Sequence, residues 1–207
     1  MTFPKKDDLV LNSFLSNYSG LIHKGMESID EKNFLFIVNI LEKAILNKKN
    51  IFTCGNGGSS SIAEHFVCDF VKGVSTDTSI SPKVNSLTSN MPLLSAIAND
   101  IEYDDVFSYQ LEKYGSKGDL LFCISSSGNS KNIINAIDIA SKMKIKTISL
   151  VGFSGGIVKK ISDNCIHINI SNYGIVEDIH QSIMHMMAQY IRLRKINKLD
   201  KVEKIIF

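Results

Sequence analysis

A chain of 207 residues is long enough for one sizeable hydrophobic core, and its 23 basic against 21 acidic side chains leave a formal charge of only +2. The basic residues are dispersed apart from Arg192, Arg194, Lys195 and Lys198, which read as a solvated helix end and not as a nucleic-acid stripe. The N-terminal MTFPKKDDLVLNSF has no apolar signal region and no stretch approaches the length of a membrane span, so neither nucleic acid nor a membrane is expected as a partner.

Two helical stretches come first, at about 7–28 and 31–48; in the second, Phe34, Ile37, Val38, Leu41, Ala44 and Ile45 recur at helical spacing. β-rich runs follow at 51–54, 84–88, 120–124, 146–151 and 165–170. Each is mostly apolar without clean alternation, as in a strand covered on both faces. Residues 73–83 read as an irregular surface loop, Ile133, Ile134, Ile137, Ile139 and Ala140 as one face of a helix, and about 177–195 as a long final helix. Strands alternating with helices predict βαβ units, hence an α/β fold with a parallel five-stranded sheet and helices on both faces. No linker divides the chain. One domain is expected over 1–207, with N-terminal helices at 1–48, sheet and helices at 49–195 and a tail at 196–207.

The four cysteines, at 54, 68, 123 and 165, form no C-x-x-C pair and no disulfide framework. Cys54, Cys123 and Cys165 lie in apolar runs, where a free thiol packs as a small hydrophobe. A reduced, cytoplasmic protein is expected.

Two loops break the apolar pattern in the same way. CGNGGSSS, from residue 54, and SSSGNS, from residue 125, each follow a strand and precede a helix. Parallel strands present their carboxyl ends on one edge, where ligands of open α/β sheets bind, and the helix N-termini there attract anions. Gly57, Gly58 and Gly128 allow close backbone approach, while Ser59, Ser125, Ser126, Ser127 and Ser130 supply hydroxyls. Neither loop carries the Gly-Lys-Ser/Thr of a triphosphate loop, and GNGGSS lacks the third glycine of a dinucleotide fingerprint. Serine caps and turns account for either loop alone. Two on one sheet edge point to a phosphomonoester on a small, hydroxyl-rich molecule.

Titratable groups lie on the neighbouring helices. His65 and Asp69, four apart, share a helix face; Glu177, Gln181 and His185 form one stripe of the last helix, with His180 turned away beside Met184. A carboxylate and a histidine at the sugar end of a phosphate site supply the base and acid of an aldose–ketose interconversion. His65, Asp69, Glu177 and His185 also make a two-histidine, two-carboxylate zinc set, provided the two helices meet.

CGNGGSSSIAEHF, AIANDIEYDDVFSYQLEKYGSKGDLLFCISSSGNSKNII and VEDIHQSIMH together strongly resemble the phosphoheptose isomerases, a branch of the sugar isomerase (SIS) domain superfamily, from about Lys49 to Arg194. The resemblance implies a flavodoxin-like sheet and a homotetramer with active sites between subunits. It further implies isomerisation of sedoheptulose 7-phosphate for surface polysaccharide such as lipopolysaccharide or capsule. By position, Ser59 and the serines of 125–130 hold phosphate, and Asn56, Asn99 and Asp100 contribute to the sugar site. The family's zinc ligands, one ion per subunit, fall on His65, Asp69, Glu177 and His185, its general base on Asp69 and its general acid on His185. The family usually has glutamate at Asp69 and glutamine at Glu177. The first change shortens a base by one methylene. The second adds a charge that strengthens metal binding or raises a neighbour's pKa. SNYGIVED, before the last helix, is also shorter than in typical members, which bears on the sugar pocket. Isomerisation of another ketose phosphate, or a sugar-phosphate sensor without turnover, is the alternative reading.

Overall fold

A computed structural model describes residues 3–197 and 202–203; Lys198 and most of the expected tail lie outside them. Helices α1 (Leu11–Glu27) and α2 (Glu31–Leu46) precede the first strand. The first helix is shorter than the sequence pattern suggests. Lys6–Leu9 forms a separate 3₁₀ turn, and extended Val10 divides it from α1. The Asp8 carboxylate closes that turn, accepting from the Lys5 backbone at 2.5 Å and the Asn17 side chain at 2.6 Å. Asp30 caps α2 by accepting from the Asn33 amide at 2.6 Å.

Five strands form one parallel sheet: β1 (Asn50–Gly55), β2 (Lys83–Ser86), β3 (Leu120–Ser125), β4 (Lys146–Val151) and β5 (Asn164–His167), in the order β2-β1-β3-β4-β5. This is the flavodoxin-like order. Between the strands run α3 (Gly58–Cys68), α4 (Met91–Asp100), α5 (Ser108–Tyr114), α6 (Lys131–Met143) and the single turn α7 (Val158–Ile161); α8 (Tyr173–Lys195) follows β5. Helices α4 and α5 arise from a region that sequence periodicity leaves unassigned. Helix α8 starts four residues before the expected 177, because Asn172 caps it by accepting from the Ile175 amide at 3.0 Å.

The unbroken apolar strands are explained by two cores. In β3, Leu120, Phe122 and Ile124 face one side with α2, α3 and α8; Leu121 and Cys123 face the other with α4, α5, α6 and α7. Phe66 of α3 stacks on Phe70 at 4.0 Å and meets Phe122 at 4.7 Å, locking α3 to the sheet. Cys54 and Cys123 are buried side by side, 3.6 Å apart, as their apolar setting predicts.

Helix α3, after β1, covers one face of the sheet, and α6, after the adjacent β3, covers the other. The connections diverge there, opening the crevice where doubly wound sheets bind ligands. Both serine loops lie at that point.

Candidate functional site

The β1 loop enters α3 through Gly57, at φ +55°, with no side chain capping the helix. The Ser60 amide turns back to the Gly57 carbonyl at 3.0 Å, and the amides before it are left to a ligand or solvent. In the β3 loop Gly128 has φ +66°, and a Cβ there would strike the Gly155 carbonyl of the β4 loop. The two loops are also joined by Val158 N–H donating to Gly128 O at 2.9 Å and Ile157 N–H to Asn129 Oδ1 at 3.1 Å. Two serines serve the loop itself: Ser125 Oγ accepts from the Gly128 amide at 3.2 Å and Ser127 Oγ from the Asn129 amide at 3.3 Å. The other two serve no such bond. Ser126 Oγ is buried without a hydrogen-bond partner among the described residues, and Ser130, at the start of α6, makes no side-chain cap. Ser59 is buried in the first turn of α3. A buried, unpaired hydroxyl is costly unless something fills it, which suits a ligand oxygen.

A side-chain network absent from the sequence reading joins the loops. Asn56 Nδ2 donates to Asn132 Oδ1 at 2.8 Å, Asn132 Nδ2 donates back to Asn56 Oδ1 at 2.9 Å, and Tyr103 OH donates to the same Asn56 oxygen at 3.1 Å. Asn99 and Asp100 end α4 just before Tyr103, and Asn99 Nδ2 donates to Asp100 Oδ1 at 2.7 Å on an exposed surface. The one sequence sign of Asn132 is a polar residue in the buried register of α6.

At the other end of α3 three expected residues converge. Asp69 Oδ1 lies 3.3 Å from His65 Nε2, and Asp69 Oδ2 lies 2.6 Å from His185 Nδ1. The two rings meet edge-on at 4.8 Å. One ligand atom from each residue lies within 4.8 Å of the others, so His65, Asp69 and His185 can hold a metal ion together. Gln181 Nε2 sits 2.8 Å from His185 Nε2, so both ring nitrogens are engaged. Asp69 also opens a π-helical turn, Asp69–Val74, a widened backbone common at functional sites. Beside it lies a cavity of about 540 Å³ lined by Asp69, Lys72, Thr76, His185, Gln189 and Arg192.

Glu177, the fourth residue of the expected metal set, does not join this cluster. It shares the α8 stripe with His185 but lies eight residues away, roughly 12 Å along the helix. Its carboxylate lies over Gly58 at the N-terminus of α3, where any Cβ would collide with it. Burial, then the neighbouring Asp178, raises its pKa. Between the two positions His180 is fully buried, with neither ring nitrogen in a hydrogen bond of good geometry. Burial lowers its pKa to about 4, and the Val151 carbonyl offsets part of that effect.

The loops and the cluster thus occupy opposite ends of α3. Gly58 and Asp69 are eleven residues apart, roughly 16 Å at the helical rise.

The sequence matches the SIS domain family over residues 13–152. It is 34% identical over 199 residues to the phosphoheptose isomerase of Helicobacter pylori strain Shi470, covering 93% of this chain and 98% of that protein. The fold matches the phosphoheptose isomerase structure from Neisseria gonorrhoeae with a TM-score of 0.79 at 27% identity, over 87% of this chain and 96% of that one. The Vibrio vulnificus NanR protein complexed with ManNAc-6P shares the fold with a TM-score of 0.68 at 16% identity, over 94% of this chain and 66% of that one.

Proposed function

The chain belongs to the phosphoheptose isomerases of the SIS-domain family, and on that premise we propose that it interconverts sedoheptulose 7-phosphate and D-glycero-D-manno-heptose 7-phosphate through an enediol, for surface polysaccharide. The observation that carries the chemistry is the Asp69 carboxylate held 2.6 Å from His185 Nδ1. In the ketose-to-aldose direction Asp69 takes a proton from the carbon beside the carbonyl while His185 gives one to the carbonyl oxygen. Asp69 then returns its proton to the former carbonyl carbon, and His185 recovers one from the neighbouring hydroxyl. Substrate oxygens replace the Asp69–His185 bond on entry.

Phosphate binding is assigned to Ser59, Ser125, Ser126, Ser127 and Ser130 with the loop amides of Gly57 and Gly58; Asn56, Asn99 and Asp100 serve the sugar. The unpaired Ser126 hydroxyl and the uncapped start of α3 support this reading. A phosphate held there lies too far along α3 from Asp69 for the two ends to share one substrate within one subunit. We therefore infer that the loops of one subunit face the Asp69–His185 pair of another, in a homotetramer. Exposed Phe36, Leu46 and Tyr190 are apolar surface that such an assembly covers. Across that interface Glu177 of one copy is free to approach the partner copy's cluster.

The donor set of His65, Asp69 and His185 suits zinc with an open coordination position, and zinc bound there would polarise sugar oxygens as a Lewis acid. The chain carries this function in the cytoplasm as one domain, 1–207, divided as its elements suggest at 48 and 195.

Incubation with sedoheptulose 7-phosphate, fructose 6-phosphate and ribulose 5-phosphate in deuterated water tests the reading. Deuterium entering the heptulose beside its carbonyl is expected. Entry into another ketose alone would reassign the substrate. Tight binding with no exchange on any of them would instead favour a sensor, the reading suggested by Asp69 having both oxygens already engaged by histidines.

A further inference from the structure

We propose that Asn132 and Tyr103 are positioning residues that fix Asn56 as a hydrogen-bond donor toward the substrate, an inference that rests on the serine loops being the phosphosugar site. Asn132 is 1% exposed, yet its amide carries no apolar packing duty: it pairs reciprocally with Asn56 across the gap between the two loops. Tyr103, 54% exposed, closes the arrangement from the rim. Its turn is anchored on α6, where Asn135 Nδ2 donates to Asp104 O at 3.0 Å and to Asp105 Oδ1 at 3.1 Å.

An amide oxygen accepts two hydrogen bonds and an amide nitrogen donates two. The Asn56 oxygen already receives two, from Asn132 Nδ2 and Tyr103 OH. Its nitrogen spends one proton on Asn132 Oδ1. What Asn56 has left is a single N–H. It therefore favours a substrate oxygen that accepts, such as a carbonyl or phosphoryl oxygen, over a group that only donates. Without the clasp, the amide is free to rotate and offer its oxygen instead. The same amide pair fixes the β1 loop against the β3 loop, so the hydroxyls of both stay in register.

The test is a mutant cycle on deuterium exchange into sedoheptulose 7-phosphate, with kcat and KM separated. Tyr103→Phe, which keeps the ring on an exposed site, should raise KM about 3- to 10-fold with kcat little changed. Asn132→Ala should raise KM about 10- to 100-fold. If Asn132 acts through Asn56, the double variant Asn56→Ala/Asn132→Ala is no worse than Asn56→Ala alone. Additive losses in the double variant, or single variants indistinguishable from wild type, overturn the clasp. Should Asn132→Ala fail to fold, Tyr103→Phe combined with Asn56→Ala gives the same reading. A wild-type protein that binds the heptulose phosphate without exchange defeats the isomerase reading alone, and the cycle is then read on calorimetric Kd values. A wild-type protein that exchanges only another ketose phosphate moves the cycle to that substrate, and one that binds none of the three overturns both.

Discussion

The two ends of α3 are built by different means. At its N-terminus the chemistry of each serine loop comes from consecutive residues, a positive-φ glycine, short hydroxyls and backbone amides, and the Asn56–Asn132 pair ties one loop to the other. At its C-terminus the His65–Asp69–His185 cluster exists only because α8 packs across α3, joining residues 116 positions apart. The first is a surface shaped to receive an anion, and the second is a set of side chains whose protons and lone pairs are already paired with each other. Binding and proton transfer are therefore expected to be separable by mutation at either end.

The largest effect is expected at the cluster. Asp69→Asn keeps the side chain's shape but removes the base, and should lower exchange by about 10²- to 10⁴-fold while heptulose phosphate still binds. Loss of binding alongside turnover would mean that the two ends are not separable. His180, on α8 between Glu177 and His185, links the ends through the core. The unfolded chain takes up a proton near pH 6.5 that buried His180 refuses until about pH 4. Stability is then fully present above pH 6.5 and falls as the pH drops toward 4, by on the order of 3 kcal/mol in the limit. Urea unfolding at pH 7.5 and pH 5 should show the loss, and His180→Leu should flatten it. An unchanged slope in that variant would assign the acid lability elsewhere. The smallest effect concerns the outer nitrogen of His185. Gln181→Leu frees that ring and should weaken zinc affinity about 10- to 100-fold in a chelator competition, with Gln181→Glu recovering most of it. Equal affinities would remove Gln181 from any role in orienting the ring.

Much of this contrast is visible in the sequence, though unevenly. Strands 51–54 and 120–124 and the serines after them announce themselves, because a loop's chemistry is written in consecutive residues. The pairing of His65 with Asp69 is also legible, since four-residue spacing on a helix fixes a face. The approach of His185 is not legible from spacing, because helical spacing says nothing about which helices meet; only the family resemblance places it with His65 and Asp69. Glu177 shows the limit most plainly: it shares a stripe with His185, but a stripe runs the length of the helix, and two turns carry the carboxylate to Gly58. Asn132 and Tyr103 escape for another reason. Their partner, Asn56, is 76 and 47 residues away, and neither belongs to the motif they support.

Because the loops and the proton-transfer pair stand at opposite ends of one helix, a working site is expected to take one end from each of two copies. Subunit complementation tests it most directly. Asp69→Asn and a loop variant, Ser126→Ala/Ser130→Ala, each inactive alone, are co-expressed and assayed as mixed oligomers. Sites that pair an intact loop from one copy with an intact Asp69 from the other should restore exchange to a substantial fraction of wild type. Mixed oligomers that form but stay as inactive as either parent would rule out a site shared between copies.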